Sequence, residues 1–161
     1  YYNDKFHVNA RAFLRVLPSW RHLRELHLYD VTLTGAADAP FVPSSSAASN
    51  ERDQHSSNLK ELLRCIGQCG HLEVIHLKRM KIGEEESAAV MEMVTSLEEI
   101  QVLDLQRNQL SNDSLKALGD CFQRENKQIQ FLDIRNNKEE QSAEIVEELK
   151  RTCREVLWWS W

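Results

Sequence analysis

The sequence predicts an α/β fold in which short strand–helix units stack side by side, and three observations predict it. The segment Leu72-Glu-Val-Ile-His-Leu-Lys-Arg-Met-Lys-Ile82 recurs as Ile100-Gln-Val-Leu-Asp-Leu-Gln-Arg-Asn-Gln-Leu110, and again as Ile129-Gln-Phe-Leu-Asp-Ile-Arg-Asn-Asn-Lys-Glu139. The shared pattern is LxxLxLxxNxL, with starts 28 and then 29 residues apart. Within each copy the LxL part alternates with period two, whereas the following half has helical periodicity. A unit of this length cannot bury its apolar face alone and must pack on copies of itself. The expected product is a stacked-repeat solenoid with an extended surface in place of an enclosed pocket.

In chain order, the first element is a helix expected over Asn9 to Leu17. An early copy of the pattern follows at Leu23-Arg-Glu-Leu-His-Leu-Tyr-Asp-Val-Thr-Leu33, with Val31 where Asn108 and Asn137 stand later. It starts 49 residues before Leu72, about 21 more than one period. The excess lies within Gly35 to Ser57, rich in Ser, Ala, Pro and Asp, so a disordered insertion is expected over 36–57. Paired strand residues are Leu26 and Leu28, Ile75 and Leu77, Leu103 and Leu105, Leu132 and Ile134. Helical spacing joins Leu59, Leu62, Leu63 and Ile66, then Ala89, Val90, Met93 and Val94, then Leu115, Leu118 and Phe122, then Ile145, Val146 and Leu149. Ser111, Asn112 and Asp113 offer N-cap chemistry to the third of these helices. The resulting single domain divides into repeats at 23–71, 72–99, 100–128 and 129–155, closed by a cap at 156–161. In that cap Val156 takes the first apolar position, 27 residues after Ile129, and Trp159 and Trp161 replace the strand leucines.

Bulk properties narrow the function. The 161 residues carry a net charge of −5, so no overall basic field is available to hold nucleic acid or an anionic membrane. No apolar run reaches the roughly 18 residues that a membrane span needs. The chain enters its first helix almost at once and reads as cut from a longer array. Cys65, Cys69, Cys121 and Cys153 fall in or at the ends of predicted helices, three of these sites in different repeats, which favours reduced, buried thiols and a cytoplasmic setting.

The LxxLxLxxNxL units of 28 and 29 residues, each with its helix, resemble the ribonuclease-inhibitor class of leucine-rich repeats. That class includes ribonuclease inhibitors, NOD-like receptors, Ran GTPase activators and actin-capping tropomodulins. The resemblance implies a horseshoe segment, with parallel strands on a concave face and helices on the convex side. An acidic array with a terminal cap looks most like the C-terminal repeats of a NOD-like receptor, although no GxxxxGK[ST] nucleotide motif is present.

Side chains alternate along a strand, so residues between the buried leucines point away from the helices. They form three columns. The first is Glu25, Val74, Val102, Phe131 and Trp158; the second is His27, His76, Asp104, Asp133 and Ser160; the third is Tyr29, Lys78, Gln106 and Arg135. Val74, Val102, Phe131 and Trp158 would make one apolar stripe beside His76, Asp104, Asp133, Lys78, Arg135 and Tyr29, and contiguous exposed apolar surface marks partner sites. The His/Asp column contains metal-ligating types, but a straight ladder does not converge four ligands on one point. Cys65, Cys69 and His71 lack a second ligand pair. The acidic runs Glu84-Glu85-Glu86 and Glu139-Glu140 read as a solvated convex surface.

No nucleophile–base–acid set, cofactor motif or metal site is visible, so an enzyme is not expected. The expected function is a protein–protein interaction scaffold: the ligand-sensing or autoinhibitory repeat region of a larger intracellular receptor-type protein, holding a protein ligand or an intramolecular domain on its concave face. The alternatives are a non-catalytic regulator such as a small-GTPase activator, and a purely structural cap.

Overall fold

A computed structural model describes residues 6–20, 22–34, 47–138 and 140–158. In chain order the elements are β1 (Phe6–Asn9), α1 (Ala10–Val16), a 3-10 turn (Leu17–Ser19), β2 (Glu25–Tyr29), β3 (Val31–Thr34), α2 (Ala47–Gly67), β4 (Val74–Lys78), α3 (Glu84–Ser96), β5 (Val102–Asp104), α4 (Asn112–Arg124), β6 (Ile129–Asp133), α5 (Ala143–Leu149) and β7 (Cys153–Leu157). Five strands form one parallel sheet in the order β2-β4-β5-β6-β7, so each repeat adds its strand beside the one before. The helices follow the same order, α2 on α3, α3 on α4 and α4 on α5. The architecture is therefore α/β with a parallel sheet and a helical layer. Among the described residues, no helix is long and apolar enough to cross a membrane.

Period-two and period-3.6 segments bury their apolar positions against each other. Ile75, Leu77, Leu103, Leu105, Leu132 and Ile134 are fully buried, and so are Leu62, Leu63, Met93, Leu115 and Leu149 from the helices. One apolar cluster joins the repeats from Leu14 to Val156. Where α2 meets α3, a Cβ on Gly67 would come within 3.2 Å of the Met93 Cα, so a larger residue there would push the helices apart by a few tenths of an ångström.

The asparagine of the pattern is a structural bolt between repeats. Buried Asn108 accepts with Oδ1 from the Met80 and Ile82 N–H groups at 3.0 and 3.1 Å, and its Nδ2 donates to the Leu77 and Leu105 carbonyls at 2.7 and 2.9 Å. Asn137 does the same work one repeat on, through Leu110 N–H and the Leu105 and Ile134 carbonyls. One amide thus satisfies backbone groups that a strand-to-helix loop would otherwise bury unpaired. Just before it, each repeat turns through a left-handed residue: Asp30, Arg79, Arg107 and Asn136 all have φ between 52° and 57°.

Three expectations need correction. The helix α2 begins at Ala47, so residues 47–57 are helical and not part of a disordered insertion, while 35–46 lie outside the described residues. Reading composition alone undervalued Ala47, Ala48, Glu51, Arg52 and Gln54, all good helix formers. The extension is also tied down: Ser56 Oγ donates to Glu86 Oε1 at 2.5 Å, and His55 Nε2 lies 3.4 Å from the Met80 carbonyl. Second, Glu86 does not belong to a solvated surface. It is buried, and its Oε2 accepts from the Gly83 N–H at 2.9 Å, capping α3.

Third, the last strand has a different register. Cys153 pairs with Ile129, Glu155 with Phe131 and Val156 with Leu132, three residues away from the expected alignment. The cause is the short α5, seven residues against thirteen in α3 and α4, which brings the chain back to the sheet early. Trp158 therefore follows β7 and packs partly buried against the core; Trp159, Ser160 and Trp161 lie outside the described residues. At the other end, β1 and β3 form a separate two-stranded parallel sheet that alternation over so few residues did not reveal. Val31, lacking an amide to bolt a loop, is buried in that pairing.

Candidate protein-binding face

The strand register places the three columns side by side. Glu25, Val74, Val102 and Phe131 are direct neighbours on β2, β4, β5 and β6, as are His27, His76, Asp104 and Asp133. The first column holds an apolar strip of three half-buried residues, Val74, Val102 and Phe131. Exposed Glu25 and Glu155 close it at both ends. Trp158 is not part of it. The shifted β7 register replaces an aromatic end with a carboxylate.

The second column is less open than alternation implies. Asp104 and Asp133 are each 1% exposed although they stand on the sheet face away from the helices. Local hydrogen bonds explain how two carboxylates survive there, since a buried charge must be paired and fully bonded. Asp104 Oδ1 accepts from the Gln106 N–H at 3.0 Å, and its Oδ2 lies 2.8 Å from His76 Nδ1 and 2.9 Å from Lys78 Nζ. Asp133 accepts from the Arg135 N–H and Nε at 3.1 and 2.9 Å on Oδ1, and from Nη2 at 2.6 Å on Oδ2. The hydrogen bond that the Arg135 guanidinium donates to Asp133 holds it above its ordinary pKa, and the charges of Asp133 and Asp104 add to this.

At the β2 end the face is aromatic. The His27 and His76 rings stack at 4.4 Å and 11°. His27 Nδ1 lies 3.1 Å from the Tyr29 hydroxyl, and its Nε2 lies 3.4 Å from Glu25 Oε2. Lys78 Nζ sits 5.7 Å from the centre of the Tyr29 ring, which is 45% exposed. Tyr29, Lys78, His76, Asp104, Asp133 and Arg135 are thus brought together as one polar band beside the apolar strip.

The metal-like sets do not assemble. No group of three His, Cys, Asp or Glu side chains converges on an ion position among the described residues. Cys65 and Cys69 point at the Leu14 and Leu17 carbonyls, while exposed His71 pairs with Glu99 at 3.4 Å. All four cysteines are free and buried. Burial raises the Cys65, Cys69 and Cys153 thiols, the last to about 12.

One feature escaped the column reading. The second pattern position, Arg24, Glu73, Gln101 and Gln130, forms a side-chain ladder along the strand entry edge. Arg24 bonds Glu73, Gln101 Nε2 donates to Glu73 Oε2 at 3.5 Å, and Gln130 Nε2 donates to Gln101 Oε1 at 2.8 Å. An open cleft of about 590 Å3 lies beside it, lined also by Glu98, Glu99 and Lys127. The recurrence of long polar side chains at that position was the available signal.

The chain is similar in structure to the tropomodulin C-terminal domain of Caenorhabditis elegans, with a TM-score of 0.68 over 96% of this chain and 84% of that one, at 12% sequence identity. Identity this low shows the fold alone. No protein-family model matches the chain, and no curated protein matches it significantly. The resemblance to the ribonuclease-inhibitor class, and to NOD-like receptor repeats in particular, is corrected by these findings. Its motif records which positions are buried, and a shared burial pattern does not carry family membership.

Proposed function

We propose that the chain is a leucine-rich-repeat-like solenoid segment working as a protein–protein interaction scaffold, with its sheet on the concave side and a protein ligand or an intramolecular domain held there. The observation that carries this reading is the strip Val74–Val102–Phe131 lying half-buried beside a prearranged polar band. Apolar surface flanked by fixed hydrogen-bonding groups is how interfaces combine affinity with orientation. The polar band is held by contacts within the chain, so a ligand would meet side chains that are already ordered. Free, buried thiols support a reducing, cytoplasmic setting. The carboxylates of the face are taken up in contacts with His76, Lys78 and Arg135, which suits a binding surface.

The test is quantitative affinity capture with three forms of the chain: the parent, Phe131→Asp, and Lys116→Asp on the helical side. Loss of bound protein only for Phe131→Asp, with unchanged melting, supports the sheet face. Equal capture by all three rejects it.

A further inference from the structure

A second surface lies on the lip where the strands turn into helices. The exposed cations Arg79, Lys81, Arg107 and Lys138 all stand there, at the eighth and tenth positions of consecutive repeats. Arg79 and Arg107 occupy the same position in neighbouring repeats, and the Arg79 N–H donates to the Gln106 carbonyl at 3.2 Å while the Arg107 N–H donates to the Arg135 carbonyl at 2.9 Å. Equivalent residues of adjacent parallel strands lie about 4.8 Å apart, so like charges are held close together.

Among the described residues, none of these four side chains has an ion pair or hydrogen bond. This sets them apart from Lys78 and Arg135, whose charge is spent on Asp104 and Asp133. Arg79, Lys81 and Arg107 also sit at φ of 55°, 60° and 57°, a conformation that glycine or asparagine adopts more readily. The outer repeats place Asp30 and Asn136 at the same turn. The two inner repeats place arginines there, against backbone preference and in a chain of net charge −5.

We infer that this lip is an electrostatic docking site for a carboxylate-rich polypeptide segment of a partner protein. Four cations at close spacing complement a run of Asp and Glu side chains, and the anions nearby do not cancel them. Asp30 stands at the β2 end, and Glu84, Asp113 and Glu140 lie at the helix starts, separated in each repeat by the residues that enter the helix. A short acidic segment fits a patch that spans three repeats, whereas a long phosphate backbone needs an unbroken basic face, which a chain of net charge −5 does not offer. The lip is separate from the apolar strip, so the inference stands or falls independently of the sheet-face reading.

The experiment measures anisotropy of a fluorescein-labelled peptide of eight Asp and Glu residues at about 50 mM salt, where surface charge is only partly screened. A 20-nucleotide single-stranded DNA and phosphatidylserine vesicles serve as alternative anions. The chosen variant, Arg79→Asn with Arg107→Asn, removes two charges while suiting the left-handed backbone, so the fold is kept. Micromolar peptide binding is expected, weakening with salt, falling at least about tenfold in the double variant and unchanged in Phe131→Asp. No peptide binding, equal affinity in the double variant, or tighter binding of DNA or vesicles than of peptide overturns the inference.

Discussion

His76 Nδ1 and Asp104 Oδ2 meet at 2.8 Å across adjacent strands, and the same oxygen is reached by Lys78 Nζ at 2.9 Å. A 1% exposed carboxylate is thereby held by two partners that themselves retain contact with solvent. Removing the carboxylate leaves His76 and Lys78 able to rehydrate, so the loss falls below that of a fully buried pair. Asp104→Ala should destabilise the chain by about 1–3 kcal/mol in urea unfolding, chiefly through the freed Gln106 N–H and the small cavity. Asp104→Asn, which keeps an acceptor for Gln106, should lose less. Equal losses would show that the charge and not the turn hydrogen bond dominates.

Asn108 offers a sharper case because all four of its hydrogen bonds are to buried or loop backbone. Asn108→Ala strands two N–H donors and two carbonyl acceptors at the junction of two repeats. The expected loss is about 3–4 kcal/mol by denaturant titration, at the upper end for a single substitution. Asn137→Ala should cost less, since that residue is only partly buried.

Cys153 gives the fold a defined alkaline limit. Burial holds the thiol proton in the folded chain up to about 12, from an ordinary value of 9.0. The folded state therefore binds more protons than the unfolded state between those values. Its contribution is complete below pH 9 and declines as pH rises towards 12. By pH 11 the loss should be on the order of 2–3 kcal/mol. The stability advantage of the parent over Cys153→Ala should shrink across that range, because the variant has no proton to lose. A constant difference between the two from pH 8 to 11 would show that this thiol is not the source.

The sequence was readable wherever one periodicity decided burial. The strand register from β2 to β6 follows directly from the leucines, because shifting a strand by one residue would expose Ile75 and Leu77. The site was less readable. Alternation places Asp104 and Asp133 on the sheet face, yet their burial depends on hydrogen bonds to the residue two positions on, which no hydrophobic pattern encodes. The β7 register was out of reach for a related reason. It is set by where α5 stops, and helix ends depend on local packing more than on the apolar repeat. Composition misjudged residues 47–57 because it weighed serines and overlooked the helix formers among them.

The shortness of α5 has a mechanical consequence. An α-helix rises about 1.5 Å per residue, so the helical layer narrows from about 20 Å along α4 to about 10 Å along α5 while the sheet continues into β7. The helical layer is thus longest at α2 and shortest at α5. In a stack where each unit leans only on its neighbours, a short helix leaves the last strand to be held mainly by its pairing with β6. Loss of that pairing should release the last repeat alone, leaving the bolted junction at Asn108 in place.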